Sequence, residues 1–249
     1  MILVSPGMAK AKQPMADDAM TPGGGSGARI LFASRQAVGT KADAVYGELR
    51  EQLTSGRRGY GETLSTAELA TEFGVSRRPV MDAMMRLELA GLIEIIRQVG
   101  CRVVVPDRTT VREHFYTAAV LEGAAARLAA ANLSSEDRRI LEAALRDSGS
   151  TAAANDLAGF GRANKLIHAT ILRAAGNQRL ADLAHSAWDL SDFYLLSREP
   201  TDLVRSHREH EKIVGAITRG DSERARDLME RHMVRFGEQP LVAKKETTA

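Results

Sequence analysis

The sequence predicts a mainly α protein in two parts: a short module of three helices and a β-hairpin, followed by an all-α bundle. Three observations predict it. Ala, Leu and Arg dominate while aromatic residues are only 4% of the chain, a composition that leans towards helix. Two short β-branched runs stand together in "LIEIIRQVGCRVVV", around Gly100. After Pro106 the chain repeats apolar residues at helical spacing, with turn residues between the runs.

The elements follow in order. Residues 1–40 read as a tail, because "TPGGGSGAR" cannot bury enough apolar surface to order itself. In "KADAVYGELREQLTSG", Val45, Leu49 and Leu53 lie one turn apart, and Gly56 is a stop. "GRRGYGE" is a loop. In "LSTAELATEFG", Ser65 is an N-cap with Glu68 at capping-box spacing, Leu69, Ala70 and Phe73 form the apolar face, and Gly74 suits a left-handed end. Ser76 caps the next helix and Pro79 falls in its first turn, where a missing N–H does no harm. Val80, Met84 and Leu87 face inward and Gly91 ends the helix. The hairpin pairs 92–96 with 102–105 around a Gly100 turn that also holds Cys101. Beyond it, helices are expected near 108–131, 135–148, 152–175, 178–197, 202–219 and 221–237, with Pro200 among the breaks. The domain limits are therefore 41–106 and 107–238, with a second tail over 239–249.

Composition bounds the function less than it bounds the fold. One cysteine excludes an internal disulfide and fits a reducing, cytoplasmic setting. No apolar run approaches the ~18–20 residues of a membrane span. The N-terminal apolar stretch is too short for a signal peptide, and its lysines follow rather than precede it. Residues 41–105 balance nine Lys/Arg against nine Asp/Glu, so any nucleic-acid argument rests on where the arginines cluster.

They cluster at the head of the third helix. A short helix, a tight turn through glycine and a second helix form a helix-turn-helix: Ala70 allows the close crossing, Gly74 takes the turn, and Leu69, Phe73, Val75 and Val80 pack around it. The second helix then presents Ser76, Arg77 and Arg78 to the major groove of double-stranded DNA, and the hairpin becomes a wing with Arg97 and Arg102 near phosphates. Arg57 and Arg58, in the loop before the motif, are placed to reach the DNA backbone. A bare Arg pair is more often a solvated helix start. Yet the helix dipole disfavours cations there, so this pair calls for an external anion, and the turn spacing and wing tip the balance to DNA.

These residues carry a resemblance. "AVYGELREQLTSG", "LSTAELATEFGVSRRPVMDAMMRLELAGLIEII" and "VGCRVVV" resemble the winged helix-turn-helix of the GntR family of bacterial transcription regulators, over roughly 43–106. The departures are "GYG" where the family has a Pro-Gly loop, and "MDAM" where it reads "REAL". Met81 thus stands where a DNA-touching arginine is common, and Ala67 where another sometimes occurs. The burden falls on Arg77 and Arg78.

The bundle holds the chemistry. Asn164 and His168 share one helical face at i, i+4, His210 lies on a second helix and His232 on a third. Side chains from three helices can meet in a bundle core and hold a divalent metal, although an interhelical histidine is more often a hydrogen-bonded core residue. Here too a resemblance bears on the choice. "HATILRAAGNQRL" and "REHEKIVGAITRGDSERARDLMERHM" resemble the FCD effector domain of the FadR subfamily, over about 108–237. The resemblance implies a site of one Asp and three His, mapping to His168, His210 and His232, with Asn164 in place of the Asp. Imidazole ligands suit zinc first, with nickel, iron and manganese as alternatives. An arginine common in relatives is replaced by Ala118, which leaves Arg162 and Arg173 as candidate anion partners for a small carboxylate effector. His207 is expected to be exposed. Trp188 and Tyr194 line a pocket or, more commonly for such residues, belong to plain core. Cys101 is expected to be a bland small residue rather than a redox sensor.

The reading that unites these expectations is a homodimeric, ligand-responsive transcription regulator, a repressor in sign, bound to operator DNA. Two others stand beside it: a metal-dependent enzyme, against which no carboxylate is placed beside the histidines and no nucleophile motif occurs, and a constitutive DNA-binding dimer without an effector.

Overall fold

A computed structural model describes residues 39–197 and 202–241. The tail expected over 1–40 lies almost wholly outside the described residues, as do the break at Pro200 and most of the tail after 239. The described residues form nine helices and three short strands.

The head begins with α1 (Lys41–Thr54), opened by a capping box in which the Thr40 side chain and the N3 residue Asp43 each satisfy the other's backbone N–H. Val45, Leu49 and Leu53 are buried, and Gly56 leaves the helix at φ +76°. Next comes an element that the sequence pattern did not predict, β1 (Thr63–Ser65). Its last residue, Ser65, caps α2 (Thr66–Glu72) by accepting from the Ala67 and Glu68 N–H groups. Gly74 takes the turn at φ +62°, and α3 (Arg77–Leu89) follows, with Val80, Ala83, Met84 and Leu87 buried against the other two helices. Ser76 occupies the N-cap position of α3, but its side chain makes no capping bond.

β2 (Ile93–Ile96) and β3 (Gly100–Val103) form the expected hairpin, and β1 adds to it as a third antiparallel strand in the order β1-β3-β2. Two expectations change. The reversal lies at 97–99, with Gln98 at φ 65°, while Gly100 is the first residue of β3. Glycine is needed at position 100 because a Cβ would collide with the Leu64 carbonyl of the neighbouring strand. Cys101 is correspondingly not in the wing turn: it is buried mid-sheet between Leu64 and Ile95. Burial pushes its thiol up to about 11, which suits a bland core residue.

The body comprises α4 (Arg108–Asn132), α5 (Ser135–Ala153), α6 (Leu157–Ala174), α7 (Gln178–Leu195), α8 (Leu203–Thr218) and α9 (Ser222–Glu238). Each starts on a side-chain cap, respectively Asp107, Ser134, Asp156, Asn177, Asp202 and Asp221. The alanines of α4 (Ala118, Ala119, Ala125, Ala126, Ala129) are buried and let it pack closely and at length on α9. No helix of the described residues is long and apolar enough to cross a membrane.

Head and body meet along α7. The Arg50 guanidinium lies 3.0 Å from Asp189, the Tyr60 hydroxyl donates to the Phe193 carbonyl at 2.5 Å, and the two rings pack edge-on at 4.9 Å.

Candidate nucleic-acid interface and metal centre

The helix-turn-helix leaves its second helix with a bare leading end. Ser76, Arg77 and Arg78 are exposed, and among the described residues neither arginine has a carboxylate partner. Two adjacent cations at a helix N-terminus, where the dipole opposes them, are stabilised by an outside anion such as phosphate. On the wing, Arg97 is exposed at the tip and Arg102 pairs loosely with Glu94 across the strands at 3.4 Å, both side chains remaining open to solvent.

The loop arginines differ from this. Arg58 is half-buried and reaches Gln52 at 2.9 Å, Glu62 at 3.0 Å and Glu72 at 2.6 Å, so it ties the loop to α1 and α2. Arg57 is more exposed and lies against Glu48 and Glu51 at 3.3 and 3.1 Å. Met81 is half-buried and accepts a weak contact from the Thr66 hydroxyl at 3.8 Å, packing back onto α2.

The second site lies within the body. α6, α8 and α9 bring His168, His210 and His232 together, with one ring nitrogen of each lying within 4.8 Å of the others. Their ring centroids are 4.6 to 5.7 Å apart, and all three residues are buried. Two of the rings are held from behind. The His168 Nδ1 is 3.0 Å from Glu122 on α4, and Glu122 also accepts from the Trp188 indole N–H at 3.1 Å. The His232 Nδ1 is 2.7 Å from Glu209, which Arg235 grips at 2.8 Å. A carboxylate on Nδ1 fixes the ring and turns the other nitrogen to the centre, as in metal-ligating histidines. His210 is different: among the described residues neither of its ring nitrogens has a hydrogen-bond partner, although it is fully buried.

The charges follow from this packing. Burial, aided by the neighbouring imidazoles, drives His210 well below the ordinary histidine value. Burial likewise lowers His232 to about 4, against the opposing pull of Glu209. Burial would raise the Glu122 carboxyl, but the charge and hydrogen bond of His168 outweigh it and hold it below its usual value. Glu209 is brought down to about 2 in the same way by His232 and Arg235, against its burial. His210 and His232 are thus neutral near pH 7, the form a metal requires.

A cavity of about 70 Å³ opens onto the cluster. Asn164, His168 and His232 line it together with Glu122, Trp188 and Lys165, whose ammonium pairs with Asp192 at 2.6 Å. Asn164 thus shares the wall of the cavity with His168 and His232. Trp188 is a pocket wall, whereas Tyr194 is buried core. Neither Arg162 nor Arg173 lines the cavity: Arg162 is exposed on α6, and Arg173 is engaged by Asp137 at 2.6 Å. Two expectations are corrected. His207 is half-buried rather than exposed, bonded to Ser148 at 3.1 Å. And carboxylates do stand beside the histidines. Sequence spacing does not reveal Glu122 and Glu209, because each comes from a position remote from or out of step with the ring it holds. One signal was available for Glu122, a charged residue on the otherwise apolar face of "AAVLEGAAARLAAA".

A winged head with a bare arginine pair, joined to a helical body with a buried imidazole cluster, defines a DNA-binding transcription regulator of two parts. Residues 41–103 match the bacterial regulatory proteins of the gntR family, and residues 113–235 match the FCD domain. The chain belongs to the GntR family and carries an FCD domain as its body. It is 29% identical over 201 residues to a probable D-xylose utilization operon transcriptional repressor of Paenarthrobacter nicotinovorans, covering 79% of this chain and 87% of that one. It is 30% identical over 140 residues to an HTH-type transcriptional regulator of Agrobacterium vitis, covering 54% of this chain and 81% of that one. Its fold is similar to that of E. coli McbR, with a TM-score of 0.66 at 21% identity over 79% of this chain and 95% of that one. A GntR regulator of Rhodococcus sp. RHA1 gives 0.63 at 22% identity, over 78% and 93%. FCD domains often bind metal ions, and the three-histidine cluster here fits that habit.

Proposed function

We propose that this regulator is a homodimeric repressor whose grip on operator DNA is set by a small carboxylate bound beside a divalent metal, zinc first, in the FCD body. The observation that carries the metal is His210. A buried imidazole with both nitrogens unpaired costs on the order of 1–3 kcal/mol, and a metal ligated by one nitrogen would recover that cost. His168, His210 and His232 would hold the ion, with Asn164 at the cavity side. None of these four ligands would bring a negative charge to the ion itself, the nearest anions being Glu122 and Glu209 behind the rings of His168 and His232, so a carboxylate effector would supply the one anionic ligand. The cavity favours a small acid, since its volume of about 70 Å³ has room for only a few water-sized groups. Lys165 at its wall is already paired with Asp192, so the cation for a carboxylate would have to be the metal itself.

The head supports the DNA reading through Ser76, Arg77 and Arg78 at the groove, with Arg97 and Arg102 on the wing and Arg57 behind, while Arg58 is committed to Gln52, Glu62 and Glu72 and holds the loop in place. Two heads are needed because one recognition helix reads too few bases, and half-sites one helical turn apart demand a twofold protein. The repressor sign rests on likeness to the D-xylose operon protein, and a cytoplasmic setting follows from work on DNA.

Calorimetry tests the site at pH 7 on protein first stripped with a chelator and then titrated with zinc. One ion per chain is expected, lost in His210→Ala and tightened in Asn164→Asp, where a carboxylate replaces the amide. Equal zinc content in His210→Ala and the unaltered chain would make the three histidines ordinary core.

A further inference from the structure

One helix borders both the histidine cavity and the head. On α7, Trp188, Ser191, Asp192 and Leu195 line the cavity. This is an i, i+3, i+4, i+7 stripe. The stripe is tied to the cluster by the hydrogen-bond chain from Trp188 through Glu122 to His168. The other side of the same turns holds the head. Asp189 takes Arg50 and the Phe193 carbonyl takes Tyr60. The Leu190 side chain lies over Gly91, where a Cβ would be 3.6 Å from it, and Leu196, one residue beyond the helix, covers Gly56 at 3.5 Å. Both glycines have positive φ and end head helices, so the head rests on α7 at the turns after α1 and α3.

We propose that α7 is the relay of this protein: what binds at the histidines is read by Trp188 and passed to the DNA-binding head through Asp189, Leu190, Phe193 and Leu196. The proposal rests on the reading of the cluster as a metal site and adds to it the route of regulation. A ligand that draws on His168 shifts Glu122, its partner; Glu122 is the acceptor of the Trp188 indole, and α7 carries that displacement as a rigid body because it is a continuous helix. Differential contact with the two positions of α7 is what couples the sites. His114 on α4 steadies the middle of the helix at Ser191, 2.8 Å away.

The test uses the full chain, stripped of metal, with zinc alone as probe. Trp188 is the only tryptophan, so its fluorescence reports the cavity, while amide hydrogen exchange over 50–62 and 89–93 reports the head. Zinc is expected to change both in the unaltered protein. In Asp189→Asn/Leu190→Ala the fluorescence titration should keep its midpoint while the head response is lost. Should that variant unfold, Asp189→Asn alone should diminish the head response, and Arg50→Asp/Asp189→Arg should recover it. A head response undiminished in a folded variant overturns the relay, as does fluorescence that responds to zinc while the head of the unaltered protein does not. If the chain takes up no zinc, the metal reading fails by itself. The relay then stands on Trp188→Phe, which cuts the bond to Glu122: altered exchange over 50–62 and 89–93 supports it, and unchanged exchange overturns it.

Discussion

At the scale of single residues, the structure separates arginines that look alike in the sequence. Arg58 has three internal partners, and among the described residues Arg77 has no carboxylate. Removing Arg58 takes the shared cation from Glu62 and Glu72 and the donor from the Gln52 amide, so Arg58→Ala should cost the folded head about 1 kcal/mol, read as a lowered urea midpoint. Arg77→Ala should leave that midpoint unchanged and weaken operator binding by about 1–3 kcal/mol if the side chain reads a base. A uniform loss on all DNA sequences with a flatter salt dependence would assign it to phosphate instead. His210 gives the opposite sign of effect. With no metal bound, His210→Leu removes a buried, unpaired imidazole, so the variant should be as stable as the parent or up to about 2 kcal/mol more stable, with no thermal shift on adding zinc. A marked fall in melting temperature of the metal-free variant would mean that the imidazole has a structural partner after all.

The helices were legible in the sequence because their signal is long. Apolar spacing and turn residues located α4 and α7 to α9 closely and placed Asn164 and His168 on one face, while the α5–α6 break was set too early: α5 runs on to Ala153 and α6 starts only at Leu157. β1 was not legible, since three residues carry no alternation and Ser65 reads equally well as a helix cap. The brackets on the imidazoles were illegible for a different reason: Glu122 and His168 lie 46 residues apart, and only the packing of α4 on α6 joins them. Arg173 shows the same limit in reverse. It looks like an anion site from its sequence, but folding gives it Asp137 and makes it a clasp between α5 and α6. Burial pushes the Asp137 carboxyl up, but the Ser134 hydroxyl and the Arg173 guanidinium more than reverse this and leave it below the ordinary value. A carboxyl lowered on folding adds stability that is present above its unfolded value of about 4 and lost as pH falls through the folded one. Asp137→Asn should therefore flatten the acid side of the stability curve below about pH 4, seen as urea midpoints that converge with the parent's as the pH drops.

For the molecule as a whole, the arrangement of two working parts on one chain raises the question of whether they come apart together. The interface on α7 is modest, a part-buried ion pair, a hydroxyl bond, an edge-on ring pair and a few apolar side chains, and an ion pair this accessible to solvent contributes about 1 kcal/mol. The head should then open on its own more readily than the body. Cys101 allows that to be timed. It is the only thiol in the chain and lies sealed inside the head's sheet, so an alkylating reagent reaches it only when the sheet parts. The rate at which one equivalent of reagent is consumed is therefore a clock for the opening of the head alone, with the helical body silent. A labelling rate that rises with denaturant well before the far-ultraviolet helical signal falls would show two separately melting parts, and coincident curves would show one. Under mild oxidation, the same enclosure should keep the wing in one chemical form, so that this protein's response to its surroundings passes through the body rather than through sulfur.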